Sequence, residues 1–184
     1  MSPLLRAPIS TAHALLGLVR HEPLHGYQIY RRLTDTPELQ AVWRMKQSHL
    51  YALLSRMEEE ALLEAKLETQ GTRPPRKVYH LTTAGAQAFD QWLIEPVAIP
   101  RDMRLEFMLK LYFALREEKA TAARLIKRQQ AVCAEWLATQ EKDRRNATTP
   151  YLLAVRRFRR DHIGAIQQWL EWLPSLISDP LEPA

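Results

Sequence analysis

The sequence predicts a mainly α-helical protein with one β-hairpin. Three observations carry this prediction. Apolar residues recur at helical spacing along most of the 184 residues, a period of two takes over only around residues 63–82, and Pro and Gly interrupt the pattern at a few discrete points. This length buries either one good core or a small domain with an appended helical element.

Ala12, Leu15, Leu16 and Val19 define a first helix, with Ser10 or Thr11 able to cap it. His21-Glu22-Pro23-Leu24-His25-Gly26 breaks it, because Pro lacks an amide donor and Gly permits a turn. A second helix follows with Tyr27, Tyr30 and Leu33 on one side. The strongest periodicity runs from Trp43 to Leu63, where Leu50, Leu53, Leu54 and Met57 occupy i, i+3, i+4 and i+7 and predict a third helix.

The period then changes. Leu63, Ala65 and Leu67 alternate with Glu64, Lys66 and Glu68, as in a half-buried strand. Residues 70–75, Gln-Gly-Thr-Arg-Pro-Pro, supply turn chemistry, and Lys77–Thr82 returns as a second strand through Val78 and Tyr79. Thr82 or Thr83 can cap a fourth helix presenting Phe89, Trp92 and Leu93, and Pro96 and Pro100 mark a domain boundary. The expected domains are residues 1–96 and an all-helical 97–184, the latter with helices near 101–115, 120–145 and 150–173. The middle one would span about 39 Å at 1.5 Å per residue, a length that usually reaches another subunit.

Apolar residues at 46% and charged residues at 26%, without low-complexity tracts, exclude a disordered chain. No apolar run approaches a membrane span and the first ten residues lack a secretory pattern, so a cytoplasmic protein without a membrane partner is expected. The lone Cys133 excludes an internal disulfide framework and reads as a small apolar helix residue. The net charge of +5 is compatible with a polyanionic partner, but its placement is more informative.

Between Leu39 and Met57 no acid occurs, whereas Arg44, Lys46, His49 and Arg56 do; between Thr69 and Phe89 no acid occurs, whereas Arg73, Arg76 and Lys77 cluster at the hairpin. The third helix starts basic and ends in Glu58-Glu59-Glu60, opposite to the preference of the helix dipole. With its apolar stripe inward, Ser48, Tyr51, Ala52 and Ser55 face outward and Gln47 and His49 lead the helix. Hydroxyls there can bond to base edges or phosphates. Short helices followed by a hairpin are the layout of a winged helix-turn-helix, which predicts double-stranded DNA as partner. The candidate DNA-binding residues are Arg44, Lys46, Gln47, Ser48, His49, Tyr51, Ser55, Arg73, Arg76 and Lys77.

Four segments occur in order: Leu16-Gly17-Leu18; Pro23-Leu24-His25-Gly26-Tyr27-Gln28-Ile29; Leu50-Tyr51-Ala52-Leu53-Leu54-Ser55-Arg56-Met57-Glu58; and Val78-Tyr79-His80-Leu81-Thr82-Thr83-Ala84-Gly85. Through them residues 12–93 resemble the DNA-binding domain of PadR-like transcriptional regulators. Phe107–Phe113 and Trp169–Leu173 resemble the longer C-terminal dimerisation domain of one branch of that family. The resemblance implies a homodimer, commonly a repressor, on an operator with inverted half-sites, the third helix in adjacent major grooves and the wing on the flanking backbone or minor groove. Two positions depart from the pattern: Ala61 stands where the family commonly has Gly, and Lys46 replaces a small residue at the helix start.

Other readings compete. His21-Glu22-Pro23-Leu24-His25 matches the zinc-hydrolase spacing H-E-x-x-H, but that chemistry needs a helix and Pro23 breaks one, so neither a metal nor catalysis is expected. Arg156, Arg157, Arg159 and Arg160 surround Phe158 as a second basic cluster, and a solvated role or ion pairing with Glu117, Glu118, Glu135, Glu141 or Asp143 on neighbouring helices is expected there rather than DNA contact. A helical interaction adaptor without specific DNA binding remains the alternative function. Trp43, Trp92, Phe107 and Tyr112 are candidates for a small-molecule effector pocket between the domain and the helical arm, or for simple core packing. No cofactor motif is found.

Overall fold

The computed structural model describes residues 9–70, 73–143 and 149–178. Its elements, in order, are α1 (Ile9–Leu18), β1 (Leu24–His25), α2 (Gly26–Asp35), α3 (Pro37–Val42), α4 (Gln47–Glu59), β2 (Leu63–Gln70), β3 (Arg73–Leu81), α5 (Thr83–Ile94), a 3-10 turn (Pro100–Arg104), α6 (Glu106–Glu117), α7 (Lys119–Asp143) and α8 (Pro150–Ser178). The chain divides into two units, one comprising residues up to Leu93 with Arg104–Phe113, the other Ile94–Met103 with the chain from Ala114 onward.

In the first unit, Leu15, Leu16, Ile29, Leu33, Leu39, Leu50, Leu54, Met57 and Phe89 form a fully covered core. Ser10 and Thr11 lie inside α1 rather than capping it. On α2 the buried residues are Gly26, Ile29 and Leu33, while Tyr27 is 54% exposed, so the buried face keeps Leu33 of the expected Tyr27–Tyr30–Leu33 side but lies less than a quarter turn away from it. The helix predicted from Trp43 to Leu63 is the shorter α4, and an unpredicted helix precedes it. Pro37 opens the short α3, Trp43–Lys46 is non-helical, and α4 begins only at Gln47. The sequence signal for α3 is weak because it buries only Leu39.

The sheet is three-stranded and antiparallel in the order β1-β3-β2. The two-residue β1, unpredicted from sequence, pairs Leu24 with Tyr79 and His25 with Val78. β2 and β3 pair from Leu63↔Leu81 to Gln70↔Arg73, with an irregularity between Glu68 and Gln70. Pro74 and Pro75 therefore belong to a strand, not the turn. A proline is tolerated there because β1 reaches only as far as Val78, leaving that side of β3 unpaired. Alternation on β2 holds at Leu63, which is buried, and fails at Leu67, which is 70% exposed where the hairpin leaves the core.

α4 ends in a Schellman motif: the Leu62 amide donates to the Met57 carbonyl and the Ala61 amide to the Glu58 carbonyl. Ala61 takes φ 55°, the left-handed conformation for which Gly is the usual residue. Ala61→Gly is expected to raise stability by about 0.5–1 kcal/mol in urea unfolding, the relief of strain exceeding the extra entropy of the unfolded chain. The Thr82 hydroxyl then ties this turn to the next helix, donating to the Ala61 carbonyl at 2.7 Å and accepting from the Gly85 amide at 3.0 Å as the cap of α5.

The aromatic cluster of this unit sets Phe89 edge-on to Phe113 at 5.6 Å and Trp92 near both. Lys110 is buried among them, its ammonium 2.9 Å from Glu106 and 5.3 Å from the centre of the Trp92 ring. A buried cation needs such partners.

In the second unit the segment before the 3-10 turn is strapped to α7. Fully buried Gln129 accepts from the Val97 amide at 2.8 Å and donates to its carbonyl at 3.2 Å, and the Trp136 indole donates to the Ala98 carbonyl at 3.0 Å. α8 packs along α7 through Ile163, Leu170 and Leu173, all buried. It continues beyond its predicted end, through Pro174. Pro174 has no amide to offer the Leu170 carbonyl, and Gln130 on α7 donates to that carbonyl at 3.0 Å. Cys133 is fully buried, its thiol donating to the Ile163 carbonyl at 3.6 Å, and burial pushes its pKa up. Labelling by a thiol reagent at pH 8 is expected to be at least ~100-fold slower in native than in urea-unfolded protein. Equal rates would show that α7 and α8 do not pack this way.

Candidate nucleic-acid interface

The inward stripe Leu50, Leu53, Leu54 and Met57 fixes the rotation of α4, and Ser48, Tyr51, Ala52 and Ser55 are consequently exposed. Gln47 and His49 are exposed on its first turn, and Arg44 and Lys46 are exposed just before it. Lys46 is the N-cap and its side chain makes no capping bond, so the amides at this helix start are capped by no side chain of that residue. The departure at residue 46 thus leaves a cationic side chain beside a partly positive helix end.

Tyr51, Ser55, Arg76 and Lys77 meet around an open groove of about 890 Å³, together with His25, Gly26, Tyr27, Gln28 and Tyr79. Among the described residues no carboxylate lines it. Gly26 is essential to its shape, since a Cβ there would sit 2.6 Å from Tyr51 Cε1; the tyrosine ring lies directly on the first turn of α2. Gln28 reaches back to accept from the His25 amide at 2.8 Å. Tyr79 is buried at the floor, which pushes its phenol pKa up.

The two β3 cations that line the groove are not equivalent. Lys77 is ion-paired with Glu58 at 2.8 Å, a hydrogen bond that raises its pKa and ties the base of the hairpin to the end of α4. Glu60 pairs locally instead, with Arg56 on α4 at 2.7 Å. Arg76 is exposed. Arg73 is placed in β3, and its side chain lies outside the described residues.

His25, Tyr27, Gln28 and Tyr79 were not among the sequence candidates. Their signal was the Gly26-Tyr27-Gln28 segment, but contact with Tyr51 and β3 depends on the unpredicted β1. The H-E-x-x-H spacing has no helix beneath it: residues 19–23 are irregular, 24–25 are extended, and Glu22 pairs with Arg32. Arg157 and Arg160 pair with Asp161 on their own helix, and Arg157 holds the Asp161 carboxyl below its ordinary pKa. Of the proposed effector residues, Trp43, Trp92 and Phe107 are buried and Tyr112 is half-buried against Phe113 at 5.0 Å. The Trp92 indole nitrogen is buried without a hydrogen-bond acceptor.

Helices leading to α4, followed by a β2–β3 wing, define a winged helix-turn-helix protein. The profile of the Transcriptional regulator PadR-like family matches residues 15–91. The chain is 30% identical over 179 residues to the negative transcriptional regulator PadR of Bacillus subtilis, covering 90% of this chain and 94% of that protein. It therefore belongs to the PadR-like family of transcriptional regulators. It is also similar to the crystal structure of Bacillus subtilis PadR in complex with operator DNA, at 28% identity and TM-score 0.46, covering 90% of this chain and 98% of that one. For the same protein in complex with p-coumaric acid the values are 26% and 0.42, covering 92% and 99%. No helix among the described residues is long and apolar enough to cross a membrane.

Proposed function

We propose that the protein is a cytoplasmic homodimeric repressor that binds an inverted-repeat operator through α4 and the wing. The observation that carries this is the acid-free groove joining the exposed hydroxyl face of α4 to Arg76 and Lys77. Two α4 helices about 34 Å apart would enter successive major grooves, with the wing on flanking phosphates. Arg44, Lys46, Gln47, Ser48 and His49 at the leading end of α4, and Arg73 on the wing, complete the contact surface. The sequence likeness to a negative regulator supports repression as the sign. A small-molecule effector acting through Trp43, Trp92, Phe107 and Tyr112 is part of the same proposal; all four belong to the first unit.

Titration of operator binding against salt tests the wing. Each lost phosphate contact lowers the log–log slope by about 0.9, so Arg76→Ala, removing one contact per subunit, is expected to lower it by about 2 per dimer. Lys77→Ala is expected to lower it less, because Glu58 already neutralises that ammonium. Unchanged slopes in both variants would remove the wing from the interface.

A further inference from the structure

The outward stripe of α4 does not stop at Ser55. Ser48, Tyr51, Ser55 and Glu58 follow one another at helical spacing, so they share one face, and the last of them is a carboxylate. At 1.5 Å per residue Glu58 stands about 4.5 Å beyond Ser55 along the axis, inside the ~8 Å over which charges act at physiological salt. An acid on the face that meets a polyanion opposes binding to it. Stability does not account for it, since the side chains of Lys77 and Glu58 are 50% and 33% exposed and a pair so exposed adds little.

What the carboxylate does is hold a cation of the groove. Glu58 accepts from the Lys77 ammonium at 2.8 Å, and Lys77 lines the groove with Tyr51 and Tyr79. We propose that Glu58 is a specificity-determining residue of DNA recognition: it withholds Lys77 from the phosphates of DNA at large and yields it only where α4 is seated. The proposal rests on the reading of α4 and the wing as the interface.

Its basis is the difference between two kinds of binding. Sequence-independent binding comes from counterions released as cations meet phosphates, and a lysine that a carboxylate has already neutralised adds little to it. Specific binding needs groups held in register with base edges. An ammonium carries three donors. With one on Glu58, two remain for a phosphate brought up to it once the side chains of α4 have met their base edges. The tie to the last turn of α4 also fixes the contact of the wing relative to the helix that reads the sequence. Glu58 therefore weakens binding to every duplex but weakens it least on the operator, and discrimination is that difference.

Glu58→Gln is the test, because the amide keeps an oxygen for Lys77 and removes the charge. Affinities for a random-sequence duplex and for the inverted repeat recovered by selection are measured by anisotropy across a fourfold range of salt. On the random duplex the log–log slope is expected to steepen by about 0.9 per subunit, close to 2 per dimer, which over that range is about 10-fold in affinity. The operator is expected to gain less, so that the ratio of operator to random affinity falls by roughly 3- to 10-fold. In a Lys77→Ala background the same substitution is expected to leave the slope unchanged.

Steepening that persists without Lys77 would show Glu58 repelling DNA by itself and overturn its action through the lysine. Equal gains on the two duplexes would overturn the discrimination. Weaker binding of both with no steepening would reduce Glu58 to an anchor of the wing, and slopes identical to those of the unmodified protein would deny it any role; either result overturns the proposal and, with the unmodified protein still binding, leaves the interface standing. An unmodified protein that binds no duplex at any salt in the range would overturn the interface and the proposal together.

Discussion

Tyr51→Ala is expected to weaken operator binding by about 10- to 100-fold while leaving the protein folded. The side chain is 39% exposed on the face of α4 that also carries Ser48, Ala52 and Ser55, and its ring rests on Gly26 at the mouth of the cationic groove. A side chain in that position serves in two ways. Its hydroxyl can bond to a base edge or phosphate, a contact of about 0.5–1.5 kcal/mol, and its ring fills the space between α4 and α2. A dimer presents two copies, so the loss is felt twice. Fluorescence anisotropy with labelled operator at fixed salt gives the affinity, and thermal melts give the stability, which should fall by no more than about 1 kcal/mol for a side chain this exposed. Tyr51→Phe separates the two contributions, restoring the packing and not the bond. Wild-type affinity in Tyr51→Ala would take the outer face of α4 out of DNA recognition.

Gly85→Ala is expected to be the most damaging single methyl group in the first unit. A Cβ at this position would stand 2.1 Å from the Leu62 carbonyl oxygen, which belongs to backbone and cannot rotate away. The same few residues hold the Schellman turn after α4 and the Thr82 cap of α5, so relief of the clash would disturb both. Overpacking against a fixed backbone typically costs about 1–3 kcal/mol, and the upper end is expected here. Gly164→Ala is the control: it lies within α8 with no atom within 4 Å of the added carbon, and should gain up to about 1 kcal/mol from helix propensity. Urea unfolding of both variants measures the contrast. Equal stabilities would mean that α5 does not start against Leu62 as described.

Much of this architecture was legible because burial and periodicity agree. Leu50, Leu53, Leu54 and Met57 announced both α4 and its rotation, and the outer face followed from that stripe alone. The cap of α5 was readable as Thr82 or Thr83, and it is Thr82. What the sequence hid depended on contacts between distant residues or on elements too short to carry a period. β1 is two residues long and owes its existence to β3, and without it the groove between Tyr27, Tyr51 and β3 has no floor. α3 buries one leucine and so leaves no stripe. The different standing of Arg76 and Lys77 was invisible, since Lys77 and Glu58 are 19 residues apart in sequence and meet only when the hairpin folds onto α4. The acidic end of α4 therefore has a structural use, since Glu58 anchors the wing. The long apolar pattern of α8 was legible as a helix, but its division into an inner and an outer face required the position of α7.

Selection of bound fragments from random duplex DNA at near-physiological salt, with the Tyr51→Ala protein run in parallel, tests the central claim most directly. The account predicts enrichment of an inverted repeat whose half-sites are centred one helical turn, or a whole number of turns, apart, and loss of that enrichment in the variant. Equal retention of all sequences by both proteins would contradict sequence-specific binding through α4.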